Sequence, residues 1–462
     1  MTPDAARAYA AARGQRGSAA REAASAWRGL PTAQGVSWPD PRALSRVTTE
    51  LARCPPLVSA RECEQLKSSL AAVARGEAIL LQGGDCAETF DGVGAEAVCG
   101  KLTTLLQMAV VLSYAASVPV IPVGRIAGQY AKPRSRPTQT QGGRTLPAYR
   151  GDAINGREFD ASSRRPNPAR LLRAYQASAA TLNLIRTYVT SRQGNLDQLQ
   201  ARNRDFVAGS PWGDRQSVLT DAIDRALHFM RSCGADPARL QPPTIYVSHE
   251  GLSLDYEAAL TRADSETGRC YGTSGHLLWI GDRTRGLGEA HVEFFSRISN
   301  PIAVKLGPTA MADDALALID KLNPEHEPGR LTFIVRLGAA RIRDQLPGLV
   351  EKVTASGAQV AWACDPMHGN TITAPSGRKT RRFGDMIDEL AGFFDVHRQL
   401  GTYPGGLHLE LSGDDVTECT GGGNAIGLDS LQLRYESACD PRLNRSQCLD
   451  LAFLVAEMYG AR

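Results

Sequence analysis

The chain has 462 residues, 42% of them hydrophobic and 22% charged, with a net charge of +3. That balance fits a globular enzyme with a large core, and the near-neutral charge excludes a surface built for nucleic acid or for an anionic membrane. Only seven of the 52 basic residues are lysine, so each lysine position is informative.

The first thirty residues are rich in Ala and Arg and faintly resemble an organelle transit peptide, but Asp4 and Glu22 argue for a loosely ordered or helical extension. Leu44, Val47 and Leu51, then Leu66, Leu70 and Val73, recur at three- and four-residue spacing, which predicts helices before residue 75. Residues 1–75 are therefore read as a mainly helical N-terminal extension. A different rhythm begins at Ala78, with short apolar runs predicting strands at 78–81, 118–123, 244–248, 277–280, 302–306, 331–335, 359–364 and 406–410. Helix-length segments at 101–115, 310–322, 341–355 and 386–400 separate them. The most apolar stretch, 108–123, is broken by Ser113, Tyr114, Ser117, Pro119 and Pro122, so it is a helix and then a strand, not a membrane span.

Eight strand-and-helix repeats predict an α/β fold, a (β/α)8 TIM barrel over residues 76–462. A doubly wound open sheet is the competitor, but no Gly-x-Gly-x-x-Gly follows the first strand. More than a hundred residues separate strands two and three, with helical patterns at 168–190 and 217–233. An insertion of helices over roughly 165–240 suits self-association or regulation.

On a barrel the strand ends converge. They bring Asp85, Cys86 and Glu88; Arg125 and Lys132-Pro-Arg134-Ser135; His249 and Glu250; Asp282, Arg283 and Arg285; Lys305; Arg336; Asp365 and His368; and Glu410, followed by Arg434, Cys439-Asp440 and Arg442. Cys86, His368, Glu410 and Asp440 offer one sulfur, one nitrogen and two carboxylates, a set suited to Mn²⁺, Co²⁺ or Zn²⁺. Arg125, Lys132, Arg134, Arg283, Lys305 and Arg336 form a cationic mouth for a substrate with several negative charges. The bland readings stand beside these. A lone Cys86 is more often a buried hydrophobe, His368 beside Pro and Gly suits a turn, and Arg283, Arg285, Arg434 and Arg442 suit a solvated surface. His249, His276 and His408 read as core or supporting groups. Ten cysteines (Cys54, Cys63, Cys86, Cys99, Cys233, Cys270, Cys364, Cys419, Cys439 and Cys448) form no Cys-x-x-Cys, and without a signal peptide they read as reduced cytoplasmic thiols.

At these residues the sequence resembles the type II 3-deoxy-D-arabino-heptulosonate 7-phosphate (DAHP) synthases. The resemblance lies in Leu80-Leu-Gln-Gly-Gly-Asp-Cys-Ala-Glu-Thr-Phe90, Arg125-Ile-Ala-Gly-Gln-Tyr-Ala-Lys-Pro-Arg-Ser135, Trp279-Ile-Gly-Asp-Arg-Thr-Arg285, Val304-Lys-Leu-Gly-Pro308, Cys364-Asp-Pro-Met-His-Gly-Asn-Thr371, Gly405-Gly-Leu-His-Leu-Glu410 and Arg434-Tyr-Glu-Ser-Ala-Cys-Asp-Pro-Arg-Leu-Asn444. It implies a metal-dependent condensation of phosphoenolpyruvate with erythrose 4-phosphate, the first step of the shikimate pathway. Cys86, His368, Glu410 and Asp440 then correspond to metal ligands, with Mn²⁺ the first expectation. Arg125, Arg283, Lys305 and Arg336 correspond to the phosphoenolpyruvate site, and Lys132, Arg134 and Ser135 to the erythrose 4-phosphate segment, with Arg285 assisting. Lys305, Arg336 and Lys132 are the expected catalytic groups. The family pattern has Glu at Asp282, Asn at Thr309 and Asn-His at Ala339-Ala340. Those departures open two alternatives, an isoenzyme using an amino or imino sugar phosphate and a weakly active regulatory partner of a chorismate mutase. Because Cys439 precedes Asp440, a reversible Cys86–Cys439 disulfide is a further expectation.

Overall fold

The structure is a computed structural model that describes residue 22 and residues 25–191, 194–235 and 243–460. The first part of the expected N-terminal extension and short parts of the insertion lie outside those residues.

Eight parallel strands close into a barrel in simple sequential order. They are β1 (Ile79–Gly84), β2 (Val120–Arg125), β3 (Tyr246–Glu250), β4 (Leu277–Ile280), β5 (Ile302–Leu306), β6 (Leu331–Val335), β7 (Ala361–Cys364) and β8 (Gly406–Glu410). Each expected strand is present, displaced by no more than a few residues. β8 closes on β1, where Leu80 pairs with Gly406 and Gly84 with Glu410. Gly84 also faces Arg125 of β2, and a Cβ there would lie 2.5 Å from the Arg125 carbonyl oxygen. Glycine thus permits the close approach that brings Arg125 and Glu410 to the same level of the barrel.

Two apolar layers hold the barrel. The inner one joins Leu80, Val123, Leu277, Trp279, Ala303, Ile334 and Ala363 to Leu66, Leu70 and Val73. Those last three lie on the helix Ala60–Ala74, which runs into β1 and so plugs the end where the strands begin. A capping box between Ser59 and Glu62 starts that helix. The chemistry is left to the opposite end. The outer layer packs strand residues such as Ile280, Leu306, Val335 and Leu407 against surrounding helices.

The helix Ala95–Ala116 is long and apolar enough to cross a bilayer, but 67% of that apolar window is buried inside the fold. It packs against the C-terminal helix Arg445–Gly460 and against all three helices of the insertion, Ala169–Thr190, Leu196–Gly209 and Gly213–Ser232. It is a core helix, as its interrupting polar residues suggested. The second insertion helix and the C-terminal helix carry no expectation from the sequence, and neither do the hairpins pairing Thr138–Gln141 with Arg144–Pro147 and Thr371–Thr373 with Lys379–Arg381. The first insertion helix packs on Pro41–Leu51, so the N-terminal helices and the insertion share one core.

Candidate active site

A cavity of about 250 Å³ opens where the strands end. Arg125, Lys132, Arg134, Ser135, Asp282, Arg283, Lys305, Arg336, His368 and Asp440 all line it. Chain positions more than three hundred residues apart meet there because the barrel aligns the C-terminal ends of its strands.

Three donor side chains gather at one side. Cys86, Glu410 and Asp440 place their Sγ and carboxylate oxygens within 4.8 Å of one another. His368 joins through Nε2, which lies 3.0 Å from Glu410 Oε1. The imidazole is oriented from behind, since its Nδ1 lies 2.7 Å from Asp365 Oδ2. A carboxylate at Nδ1 fixes the orientation of the ring so that Nε2 faces Glu410. Burial lowers the His368 pKa, and the flanking cations hold Glu410 well below its usual range against a strong burial penalty. The 3.0 Å separation brings the His368 nitrogen to the edge of the three-residue cluster. The donor set therefore fits a divalent metal of borderline softness.

The Lys132 ammonium lies 3.0 Å from Cys86 Sγ, 2.9 Å from Glu410 Oε1 and 3.2 Å from Asp440 Oδ2. Glu410 also accepts from Arg125 at 3.0 Å and, through Oε2, from Arg381 at 2.8 Å. Arg381 is fully buried and comes from the hairpin after β7. Its signal in the sequence was the basic run Arg378-Lys379-Thr-Arg381-Arg382, which looks like a solvated turn. Lys379 of the same run lines the cavity and reaches Asp440 Oδ1 at 2.7 Å.

The opposite wall holds a second network. Lys305 Nζ lies 2.5 Å from Asp365 Oδ2, so one carboxylate oxygen serves both Lys305 and His368. Burial pushes the Lys305 ammonium down to about 8, while Asp365 works against that shift. Asp365 Oδ1 accepts from the N–H groups of Met367 and His368, which is the turn role expected of it. Arg336 donates to Asp282 Oδ2 at 2.9 Å and to the His368 carbonyl at 2.8 Å. Arg134 and Arg283 form no ion pair with a described residue, which leaves both free for an incoming anion. Glu250 also lines the cavity, with Oε1 buried and unpartnered.

Three of the arginines at the strand ends lie away from the cavity. Arg285 does not line the cavity; its guanidinium reaches Asp282, Asp314 and Thr309, each at 3.3 Å. Arg434 pairs with Glu436 at the surface, and Arg442 is held by Glu418 and Asp85 behind the cavity. A short helix-like turn after β4 points Arg283 inward and carries Arg285 past the rim. His408 joins Gln82 to Arg125, and His249 binds Glu257, so both are supporting groups. Cys86 and Cys439, the pair expected to form a reversible disulfide, are both free thiols, and burial drives the Cys86 pKa upward.

A closed parallel barrel with a donor cluster and a cationic cavity at its C-terminal face defines a barrel enzyme acting on anionic substrates. The chain belongs to the class-II DAHP synthetase family, whose model matches residues 22–456. It is 62% identical over 437 residues to the phospho-2-dehydro-3-deoxyheptonate aldolase of Streptomyces coelicolor, covering 95% of this chain and 97% of that one. Its identity to the phospho-2-dehydro-3-deoxyheptonate aldolase AroG of Mycolicibacterium smegmatis is 51% over 433 residues, covering 93% and 92%.

Proposed function

We propose that the protein is a 3-deoxy-7-phosphoheptulonate synthase, joining phosphoenolpyruvate to erythrose 4-phosphate with water and releasing DAHP and phosphate. The observation that carries this reading is the meeting of the mixed donor set with free and paired cations in one cavity. In the reaction the enol carbon bonds to the aldehyde carbon, a water oxygen adds to the neighbouring carbon, and the bond from that carbon to the phosphate oxygen breaks.

Arg125, Arg283, Lys305 and Arg336 hold phosphoenolpyruvate, while Lys132, Arg134, Ser135 and Lys379 receive erythrose 4-phosphate. Fixed cations hold two anions together against their repulsion, which lowers the entropic and electrostatic parts of the barrier. Lys305 and Glu250 are the titratable groups placed to move protons in the cavity. Cys86, His368, Glu410 and Asp440 would hold a divalent cation, Mn²⁺ before Co²⁺ or Zn²⁺, which would supply Lewis-acid chemistry there.

The departures at Asp282 and Thr309 fall on the phosphoenolpyruvate side, where these residues bind Arg336 and Arg285. The Lys132-Pro-Arg-Ser135 segment that faces the aldehyde matches the family, which favours erythrose 4-phosphate over an amino or imino analogue. Ten free cysteines suit a reducing cytoplasm. Self-association rests on the helical insertion, and pairing with a chorismate mutase on the family resemblance.

Phosphate release is expected when both substrates and Mn²⁺ are supplied and not when any one is omitted. An absence of turnover with Mn²⁺ and with Co²⁺ would exclude this function, and a faster rate with an amino analogue would move the assignment to that aldehyde. Removing one charged hydrogen-bond donor costs roughly 1.5–3 kcal/mol, about a 10- to 100-fold change. Arg134→Ala is therefore expected to raise KM for erythrose 4-phosphate by that factor, and Arg283→Ala to do so for phosphoenolpyruvate. Steady-state kinetics with each substrate varied in turn checks the division.

A further inference from the structure

The loop after β6 reads Leu337-Gly-Ala-Ala340, so beyond Arg336 it has no polar side chain with which to hold itself in place. Its position must be fixed through its backbone. The Gly338 N–H donates to Glu389 Oε1 at 2.7 Å, and the Ala339 N–H donates to Asn370 Oδ1 at 3.1 Å. Asn370 in turn donates to Glu389 Oε2 at 2.8 Å and to the Pro366 carbonyl at 2.8 Å. Gly338 and Gly369 touch backbone to backbone; a Cβ on Gly369 would lie 2.4 Å from the Gly338 nitrogen.

Glu389 is fully buried on the helix Phe383–Gln399 and has no cationic partner in any ion pair with a described residue. Burial, with Asp365 adding to it, pushes its carboxyl up to about 8, while the N–H groups of Gly338, Leu337 and Asn370 pull it back. A buried acidic group without a counterion is a costly way to stabilise a fold. Its oxygens instead tie together the two loops that carry Arg336 and His368, which themselves touch through the Arg336 guanidinium and the His368 carbonyl.

The geometry points to Glu389, acting through Asn370 and Gly338, as a positioning residue that sets Arg336 at the height needed to grip phosphoenolpyruvate. The inference deepens the proposed function and rests on it. Glu389→Gln keeps the size of the side chain but turns an NH₂ group toward one of the N–H donors. Asn370→Ala leaves the Glu389 carboxyl and its bond to Gly338 in place and removes the bonds from Asn370 to Ala339, Glu389 and Pro366.

With Mn²⁺-loaded full-length protein, Glu389→Gln is expected to raise KM for phosphoenolpyruvate about tenfold. The kcat and the KM for erythrose 4-phosphate should stay within about threefold, and Asn370→Ala should follow the same pattern. In an Arg336→Lys background the Glu389→Gln effect on KM should shrink to under about twofold, because both changes act on one contact. An unchanged KM for phosphoenolpyruvate, a loss of kcat alone, or a full tenfold effect persisting with Arg336→Lys would each overturn the inference. Inactivity of the unmodified protein would instead overturn the proposed function beneath it.

Discussion

Glu410→Gln is expected to leave no measurable phosphate release and to cut Mn²⁺ affinity sharply. The substitution preserves shape, so its effect reports charge. Glu410 Oε1 lies within 3.0 Å of Arg125, Lys132 and His368 groups, and Oε2 accepts from Arg381. A neutral amide loses the strongest anionic donor of the proposed metal site and leaves three buried cations without their shared counterion. Breaking a buried pair in this way costs about 3–5 kcal/mol, so the melting temperature should fall as well.

The pH dependence of that loss has a definite sign. The folded-state pKa of Glu410 lies well below the ordinary 4.5. Its contribution to stability is therefore present above about pH 4.5 and is lost as the pH falls through the depressed folded value. Unfolding measured from pH 7 downward should show a steeper loss of stability in the unmodified protein than in Glu410→Gln. Turnover within tenfold of the unmodified rate, or unaltered Mn²⁺ binding by calorimetry, would remove Glu410 from the site.

The strands were legible because each is a short apolar run ended abruptly by polar or glycine residues, and that pattern depends on local chain alone. Glu410 and Arg125 stood out for the same reason, as charged groups closing apolar strands. The hairpin at Thr371–Arg381 was not legible, since its residues are polar and its pairing is short. Arg381 was missed with it, because a fully buried arginine within a basic run has no local mark that distinguishes it from an exposed one. Arg285 shows the reverse error. Two residues after Arg283 in a tight turn, it points elsewhere, and spacing alone does not give the rotation of a turn. Asp365 was read as a turn former, which its Oδ1 is, while the second oxygen binds Lys305 from another strand and so depends on barrel closure. Glu389 was invisible for a similar reason: it sits in an ordinary amphipathic helix, and its importance comes from two loops packed above it.

Asp365→Asn is the other substitution expected to disable the site, although Asp365 is fully buried and does not line the cavity. Its Oδ2 lies 2.5 Å from Lys305 and 2.7 Å from His368 Nδ1, so one oxygen maintains both a cation and an imidazole orientation. Loss of the carboxylate that orients a metal-binding histidine lowers metal affinity about 10- to 100-fold. Lys305 responds separately. Its ammonium is already lowered to about 8 by burial, and the Asp365 charge is the main influence opposing that shift. Without it, Lys305 deprotonates at still lower pH. Since Lys305 must be charged to hold an anion, kcat/KM for phosphoenolpyruvate in the unmodified enzyme should fall as the pH rises through about 8. In Asp365→Asn that alkaline limb should move toward lower pH, with kcat/KM at pH 7.5 reduced about 100-fold or more from the combined effects. Excess Mn²⁺ should recover the part lost through His368 and leave the displaced limb where it is, because the two consequences arise at different atoms. An alkaline limb that does not move, together with Mn²⁺ affinity within twofold, would show that Asp365 serves the turn alone.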